Sequence, residues 1–276
     1  MTIINARRIL VPHDFSPTSE AARDYAVGLA SELDAALDVV HVSDKTDSRL
    51  PFNTGFEVRP GSPHREIARC AHERDIDLIV MGTHGRSSFA QAAVGSVTAR
   101  VVRSAPCPVV TVRLPRRRFG LSNVLVGLDF EPASINALAY GRAFCQRFGA
   151  RLHVLHAMEN YFLRPIVQDP KMLEFRVYEQ LDELVTADDR TSLKATTIVS
   201  VSDTPADVLL DYVPRAAIDL VVLGTHGRRA INRLLLGSVG ERLIRLSPCP
   251  VLTVNHPERD CLLPQTVLAD VEAHHL

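Results

Sequence analysis

Two stretches carry residue types and a spacing suited to holding an anion. Gly82-Thr83-His84-Gly85-Arg86 is followed, with nine residues between Gly85 and Gly95, by Gly95-Ser96-Val97-Thr98. Gly224-Thr225-His226-Gly227-Arg228 is followed over the same gap by Gly237-Ser238-Val239-Gly240. Each glycine stretch comes directly after an apolar β-branched run, Leu78 to Met81 and Leu220 to Leu223, which reads as a buried parallel strand. The glycines therefore stand where a strand ends and a helix begins. Small residues there leave main-chain N–H groups open to a ligand, and Gly95-Ser96 and Gly237-Ser238 read as the start of the next helix. Its first N–H groups lack internal partners and carry the positive end of the dipole.

Phosphate contacts alone bind weakly. A charge-assisted hydrogen bond nets about 1.5 to 3 kcal/mol and a helix end adds roughly 0.3 to 1, whereas micromolar affinity needs about 8 before ordering costs. A second, flat group must then be buried beside the loop. Other phosphate and hydrolytic chemistries lack their residues, for the chain has no H-E-x-x-H, no G-x-S-x-G and no Walker A lysine pattern.

The elements that must position these loops repeat within the chain. Ile9-Leu10-Val11 runs into Pro12-His13-Asp14-Phe15-Ser16-Pro17, and Leu125-Val126 runs into Gly127-Leu128-Asp129-Phe130-Glu131-Pro132. Both predict a first strand ending in an aspartate, then a helix with proline in its first turn. Second strands follow at Leu37 to Val42 and Leu152 to Ala157, third strands near Gly55 to Val58 and Thr196 to Val201, and last strands at Pro108 to Val112 and Pro250 to Val254. Asp14 to Asp129 and His41 to His156 are each 115 residues apart, whereas Gly82 to Gly224 and Cys107 to Cys249 are each 142 apart. The second half therefore carries 27 more residues (142 − 115) between its second and third strands. Asp169-Pro170 opens a helical stripe there with Leu173, Val177, Leu181, Leu184 and Val185. The first half offers only the polar Asp44 to Asn53, so it is expected to lack its second helix and to leave apolar sheet uncovered.

This β-α-β order predicts an α/β chain of two doubly wound, five-stranded parallel sheets, with strand order 3-2-1-4-5 and a crevice between strands one and four. Expected domains are 1–114 and 121–256, joined by a linker at 115–120. A tail at 257–276 carries Val267, Leu268 and Val271 on one helical face, which predicts a helix over 264–274 that packs where the first half lacks one. The last strands present open edges that can pair across the two halves.

At 276 residues with 46% hydrophobic content, the chain is long enough for two cores, and a net charge of −1 argues against general nucleic-acid or membrane-surface binding. Arg116-Arg117-Arg118 reads as a solvated linker. No run reaches about 18 apolar residues, so neither a membrane span nor a signal peptide is expected. Five cysteines without C-x-x-C fit buried thiols in a cytoplasmic protein.

On the aspartate after strand one and the doubled G-x2-G-x9-G-[S/T] spacing, the chain resembles the universal stress protein family, tandem type. The resemblance spans about residues 5–114 and 121–256. It implies an adenine-nucleotide hydrolase-like fold paired as an intramolecular pseudo-dimer, and ATP or a related adenine nucleotide, with or without Mg, in the crevice. Carried over residue by residue, Pro12 and Asp14 flank the adenosine, Val42 meets the adenine edge, Gly82 and Gly85 approach ribose and phosphates, and Gly95, Ser96, Val97 and Thr98 hold phosphate oxygens. The matching second set is Gly127, Asp129, Ala157, Gly224, Gly227, Gly237, Ser238, Val239 and Gly240. Gly127 replaces a proline and Gly240 a threonine, so the two sites are expected to be unequal.

Competing structural readings stand beside these. Asp14 and Asp129 can simply cap the next helix; His84, His226, Arg86, Arg228 and Arg229 can be exposed loop residues. His153 and His156, three apart on a strand, point to opposite faces and do not form a metal pair. The expected function is a nucleotide-binding stress sensor or regulator with an unknown protein partner, within one chain or as a homodimer. A slow Mg-dependent ATPase using Asp14 or Asp129, and a nucleotide-free interaction scaffold, are the alternatives.

Overall fold

A computed structural model describes residues 2–43, 56–84, 94–113, 119–158, 170–225, 237–254 and 260–264. The first half runs β1 (Thr2–Ile4), β2 (Arg8–Pro12), α1 (Pro17–Leu33), β3 (Ala36–Ser43), β4 (Glu57–Pro60), α2 (Pro63–Glu73), β5 (Leu78–Gly82), α3 (Ser96–Ser104) and β6 (Val109–Val112). The second runs β7 (Asn123–Gly127), α4 (Pro132–Phe148), β8 (Arg151–Met158), α5 (Pro170–Leu184), α6 (Ala187–Ser192), β9 (Thr196–Val201), α7 (Pro205–Arg215), β10 (Leu220–Gly224), α8 (Ser238–Leu246), β11 (Val251–Val254) and β12 (Leu262–Pro264).

Each half has the 3-2-1-4-5 order, as β4-β3-β2-β5-β6 and β9-β8-β7-β10-β11. The two expected sheets are joined into one. β6 and β11 pair antiparallel, with Leu252 opposite Val110, and give a continuous ten-stranded sheet. Thr111 Oγ1 donates to Val251 O at 3.2 Å and Thr253 Oγ1 to Val109 O at 3.1 Å across this seam. Pairing the two last strands removes the edges that each half alone would expose.

Apolar layers cover both sheet faces. One includes α1, α4 and the inner stripe of α5; the other includes α2, α3, α7 and α8. The proline-led helices begin where expected, with Ser16 capping α1 through Ser19 N–H and Pro17, Pro63, Pro132 and Pro205 in first turns. The 27 extra residues of the second half supply α5 and also α6, whose capping box of Thr186 and Asp189 was not anticipated. Leu152 and Val154 beneath that cover are fully buried, while their counterparts Leu37 and Val39 on β3 are only half-buried. The Asp44 to Asn53 segment and the Arg116 to Arg118 cluster lie outside the described residues.

Two short strands pair apart from the main sheet in an arrangement not foreseen. β1 pairs antiparallel with β12, Ile4 opposite Leu262, as a separate two-stranded sheet, and Ile4 and Cys261 join the apolar layer that includes α4. Tyr140 of α4 donates to Asp260 Oδ1 at 2.5 Å and accepts from Cys261 N–H at 3.3 Å. Pro264, the expected start of a helix, closes this strand instead; the rest of the expected 264–274 helix lies outside the described residues.

Candidate functional site

The crevice forms at the carboxyl ends of β2 and β5, and again of β7 and β10, where the strand order reverses. Pro12 and Gly127 end the first strands, Val42 and Ala157 stand near the ends of β3 and β8, and Gly82 and Gly224 end the fourth strands. Ser96, Val97 and Thr98 form the first turn of α3, and Ser238, Val239 and Gly240 that of α8. The topology thus brings each predicted set to one sheet end. Gly85 and Gly227, with Arg86, His226, Arg228 and Arg229, lie outside the described residues.

The glycines have two different jobs. A Cβ on Gly82 would come within 2.8 Å of the Thr18 carbonyl carbon, and one on Gly224 within 2.5 Å of the Ala133 carbonyl carbon. These glycines let the fourth strand pass against the start of α1 or α4, which is a packing need and not a ligand contact. Gly95 and Gly237 are the N-caps of α3 and α8, and their own N–H groups bond Thr83 O at 2.9 Å and Thr225 O at 3.2 Å. Neither helix has a side-chain cap. The N–H donors that helix geometry leaves unmatched are those of the first turn, Ser96 to Thr98 and Ser238 to Gly240.

Asp14 and Asp129 turn inward on their own loops. Asp14 Oδ1 accepts from Ser16 N–H and Asp129 Oδ1 from Glu131 N–H, both at 3.1 Å. The intervening residue in each loop is a phenylalanine with left-handed backbone, φ 63° at Phe15 and 65° at Phe130. A bulky side chain rarely adopts that region, so both loops hold strain at the same position. Each ring lies against a histidine of the second strand, Phe15 on His41 at 4.9 Å and Phe130 on His156 at 4.6 Å. His41 Nδ1 bonds His13 O at 2.7 Å and His156 Nδ1 bonds Leu128 O at 2.8 Å. His41 Nδ1 must carry the proton in that bond, which leaves Nε2 an acceptor, and that atom is buried with no hydrogen-bond partner. His84 Nε2 is likewise buried and unpartnered, its Nδ1 lying 2.8 Å from Thr83 Oγ1.

The two crevices differ. In the second half β7 and β10 stay paired from Val124–Leu220 to Gly127–Leu223; in the first, β2 and β5 pair only at Ile9–Leu78 and Leu10–Ile79. Pro12 has no N–H to give that ladder, and Val11, Val80 and Met81 are as buried as Val126, Val222 and Leu223, so the shorter ladder marks no wider opening. What distinguishes the first crevice is a rim tied together: Thr18 Oγ1 donates to His84 O, Ser16 Oγ approaches the same carbonyl at 3.4 Å, and Thr98 Oγ1 donates to Gly82 O at 2.9 Å. The repeat offsets put Glu131, Ala133 and Gly240 at these positions in the second half, none with a hydroxyl.

Thr18 and the phenylalanine backbone were not singled out from sequence. Thr18 and His84 are 66 residues apart, and only the matched His41 and His156 hinted that strand two carries more than packing. His153 and His156 do face opposite ways, His153 bonding Tyr212 Oη at 2.9 Å. Among the described residues no group of three His, Cys, Asp or Glu is placed to hold a metal ion, and no helix is long and apolar enough to cross a membrane.

The parallel strands, the reversal of their order and the helices on both faces define a doubly wound α/β class. The family model of the universal stress protein family matches residues 5–55, 50–113 and 120–255, and the chain belongs to that family. It is 31% identical over 189 residues to universal stress protein Rv2005c of Mycobacterium tuberculosis, covering 64% of this chain and 61% of that protein. It is 30% identical over 246 residues to universal stress protein Rv1996 of the same organism, covering 85% of this chain and 75% of that one. In three dimensions it is similar to a universal stress protein from Archaeoglobus fulgidus, with TM-score 0.67, 22% identity and coverage of 90% of this chain and 98% of the other.

Proposed function

We propose that this chain holds ATP or a related adenine nucleotide in its switch-point crevice and acts as a stress sensor or regulator through that occupancy. The observation that carries this is the uncapped first turn of α3, Ser96 to Thr98, standing beyond the carboxyl ends of β2 and β5, where the strand order reverses. Such N–H groups suit phosphate oxygens. His84, just beyond β5, supplies a further polar position in its buried Nε2, which has no hydrogen-bond partner. Membership of the universal stress protein family supports the choice of an adenine nucleotide over other phosphates. Asp14 serves to shape its loop through Ser16 N–H, and the role is binding, with the occupied and empty forms read by a protein partner.

Mass spectrometry of the small molecules released when freshly purified protein is denatured tests this. An adenine nucleotide at a sizeable fraction of the protein concentration is expected. Release of none, together with no thermal shift on adding ATP, ADP, AMP or cyclic AMP, would make the chain a scaffold instead.

A further inference from the structure

The two crevices share a fold but not a frame, and this difference sets which one binds. In the first half three elements are tied at the rim. Thr18, in the first turn of α1, donates to the carbonyl of His84, which follows β5; Thr98, in the first turn of α3, donates to the carbonyl of Gly82 at the end of β5. Two hydroxyls therefore connect α1 and α3 to the same three-residue stretch of backbone, Gly82 to His84. A ligand entering there meets walls already fixed by these bonds and loses little to ordering.

In the second half these ties are missing. Ala133 and Gly240 replace the two threonines, so neither carbonyl can be tied by those positions. Ser134 does not stand in for them: it donates to Glu131 O at 3.0 Å, as its counterpart Ser19 donates to Ser16 O at 2.9 Å. A ligand there meets helix starts without those two ties.

We infer that the protein binds one nucleotide per chain, in the first crevice, with Thr18 and Thr98 acting as positioning residues that hold its rim open in the binding geometry. This rests on the nucleotide-binding reading above. The second half is then a partner that completes the sheet through β6 and β11 and does not serve as an equal receptor.

Isothermal titration of the full chain, cleared of bound nucleotide, with ATP and ADP in the presence of magnesium tests this. One tight equivalent per chain is expected. Thr18→Val keeps the volume and removes the hydroxyl; it should weaken binding on the order of tenfold, while Thr18→Ser restores it. Thr98→Val should act in the same direction. Ala133→Ser in the second crevice should leave the affinity unchanged, and unchanged melting of apo Thr18→Val would separate positioning from folding. Two equivalents of equal affinity, or Thr18→Val binding like wild type, would overturn the inference and leave nucleotide binding standing. Absence of any binding would overturn both.

Discussion

Thr98 Oγ1 lies 2.9 Å from Gly82 O and donates to it, so the first turn of α3 is fastened to the end of β5 by a side chain the second half does not possess. That bond places the helix start whose N–H groups face the crevice. It also turns the hydroxyl's only proton away from a ligand, which leaves the backbone as the donor toward phosphate.

Gly82 and Gly224 are expected to be packing glycines first. A methyl group at either would press into the backbone of Thr18 or Ala133. Gly224→Ala should destabilise the protein by about 1 to 3 kcal/mol, and Gly82→Ala comparably. Calorimetric melting should show the midpoint falling roughly 2 to 4 °C per kcal/mol. A melting curve unchanged by both substitutions would contradict this account of the glycines.

Arg142 and Asp189 fix the cover of the second half. Arg142 Nε and Nη2 meet the two carboxylate oxygens of Asp189 at 2.9 and 2.7 Å, and Nη2 also bonds Leu184 O. Burial alone would raise the Asp189 carboxyl, but the bonds from Arg142 and Thr186 outweigh it and hold it below the ordinary value. The resulting stability is present above the ordinary carboxylate range and is lost as pH falls through the lowered folded value. Asp189→Ala should cost about 3 kcal/mol by stranding Arg142 and breaking the α6 cap. Urea titration at neutral pH and again near pH 3 checks both statements: the gap between wild type and variant should shrink in acid.

His153 sets an opposite limit. It is enclosed by Tyr212 Oη at 2.9 Å, Thr196 Oγ1 at 3.2 Å and Asn123 Oδ1 at 3.4 Å. Burial, with the Arg151 charge second, lowers its pKa below 6.5. The folded state therefore takes a proton less readily than the unfolded chain, so stability is full above the ordinary histidine range and falls as pH drops through about 6.5 toward the lowered value. Melting between pH 8 and pH 5.5 should fall more steeply for wild type than for His153→Gln. Parallel curves would remove His153 as the cause.

Much of this architecture could be read from the chain because the repeat is arithmetic. The change from 115 to 142 located the inserted cover between β8 and β9, and the aspartate and glycine landmarks placed every crevice strand. What escaped were features without local pattern. β1 and β12 have three residues each and no period to detect. The edge pairing of β6 and β11 was legible in the open last strands, whereas the tie of Thr18 to the His84 carbonyl depends on partners far apart in sequence. Thr18 looked like an ordinary first-turn residue of α1. The site glycines were legible as special, but their reason divides between close packing at Gly82 and Gly224 and a bare helix start at Gly95 and Gly237.

The central claim is tested most directly by an experimental structure of the full chain crystallised with ATP and magnesium. The account predicts phosphate oxygens within hydrogen-bond distance of the Ser96 and Val97 N–H groups, with the base held in the opening between Pro12 and Val42. A crevice closed by protein side chains, or nucleotide bound elsewhere while those amides pair within the chain, would contradict it.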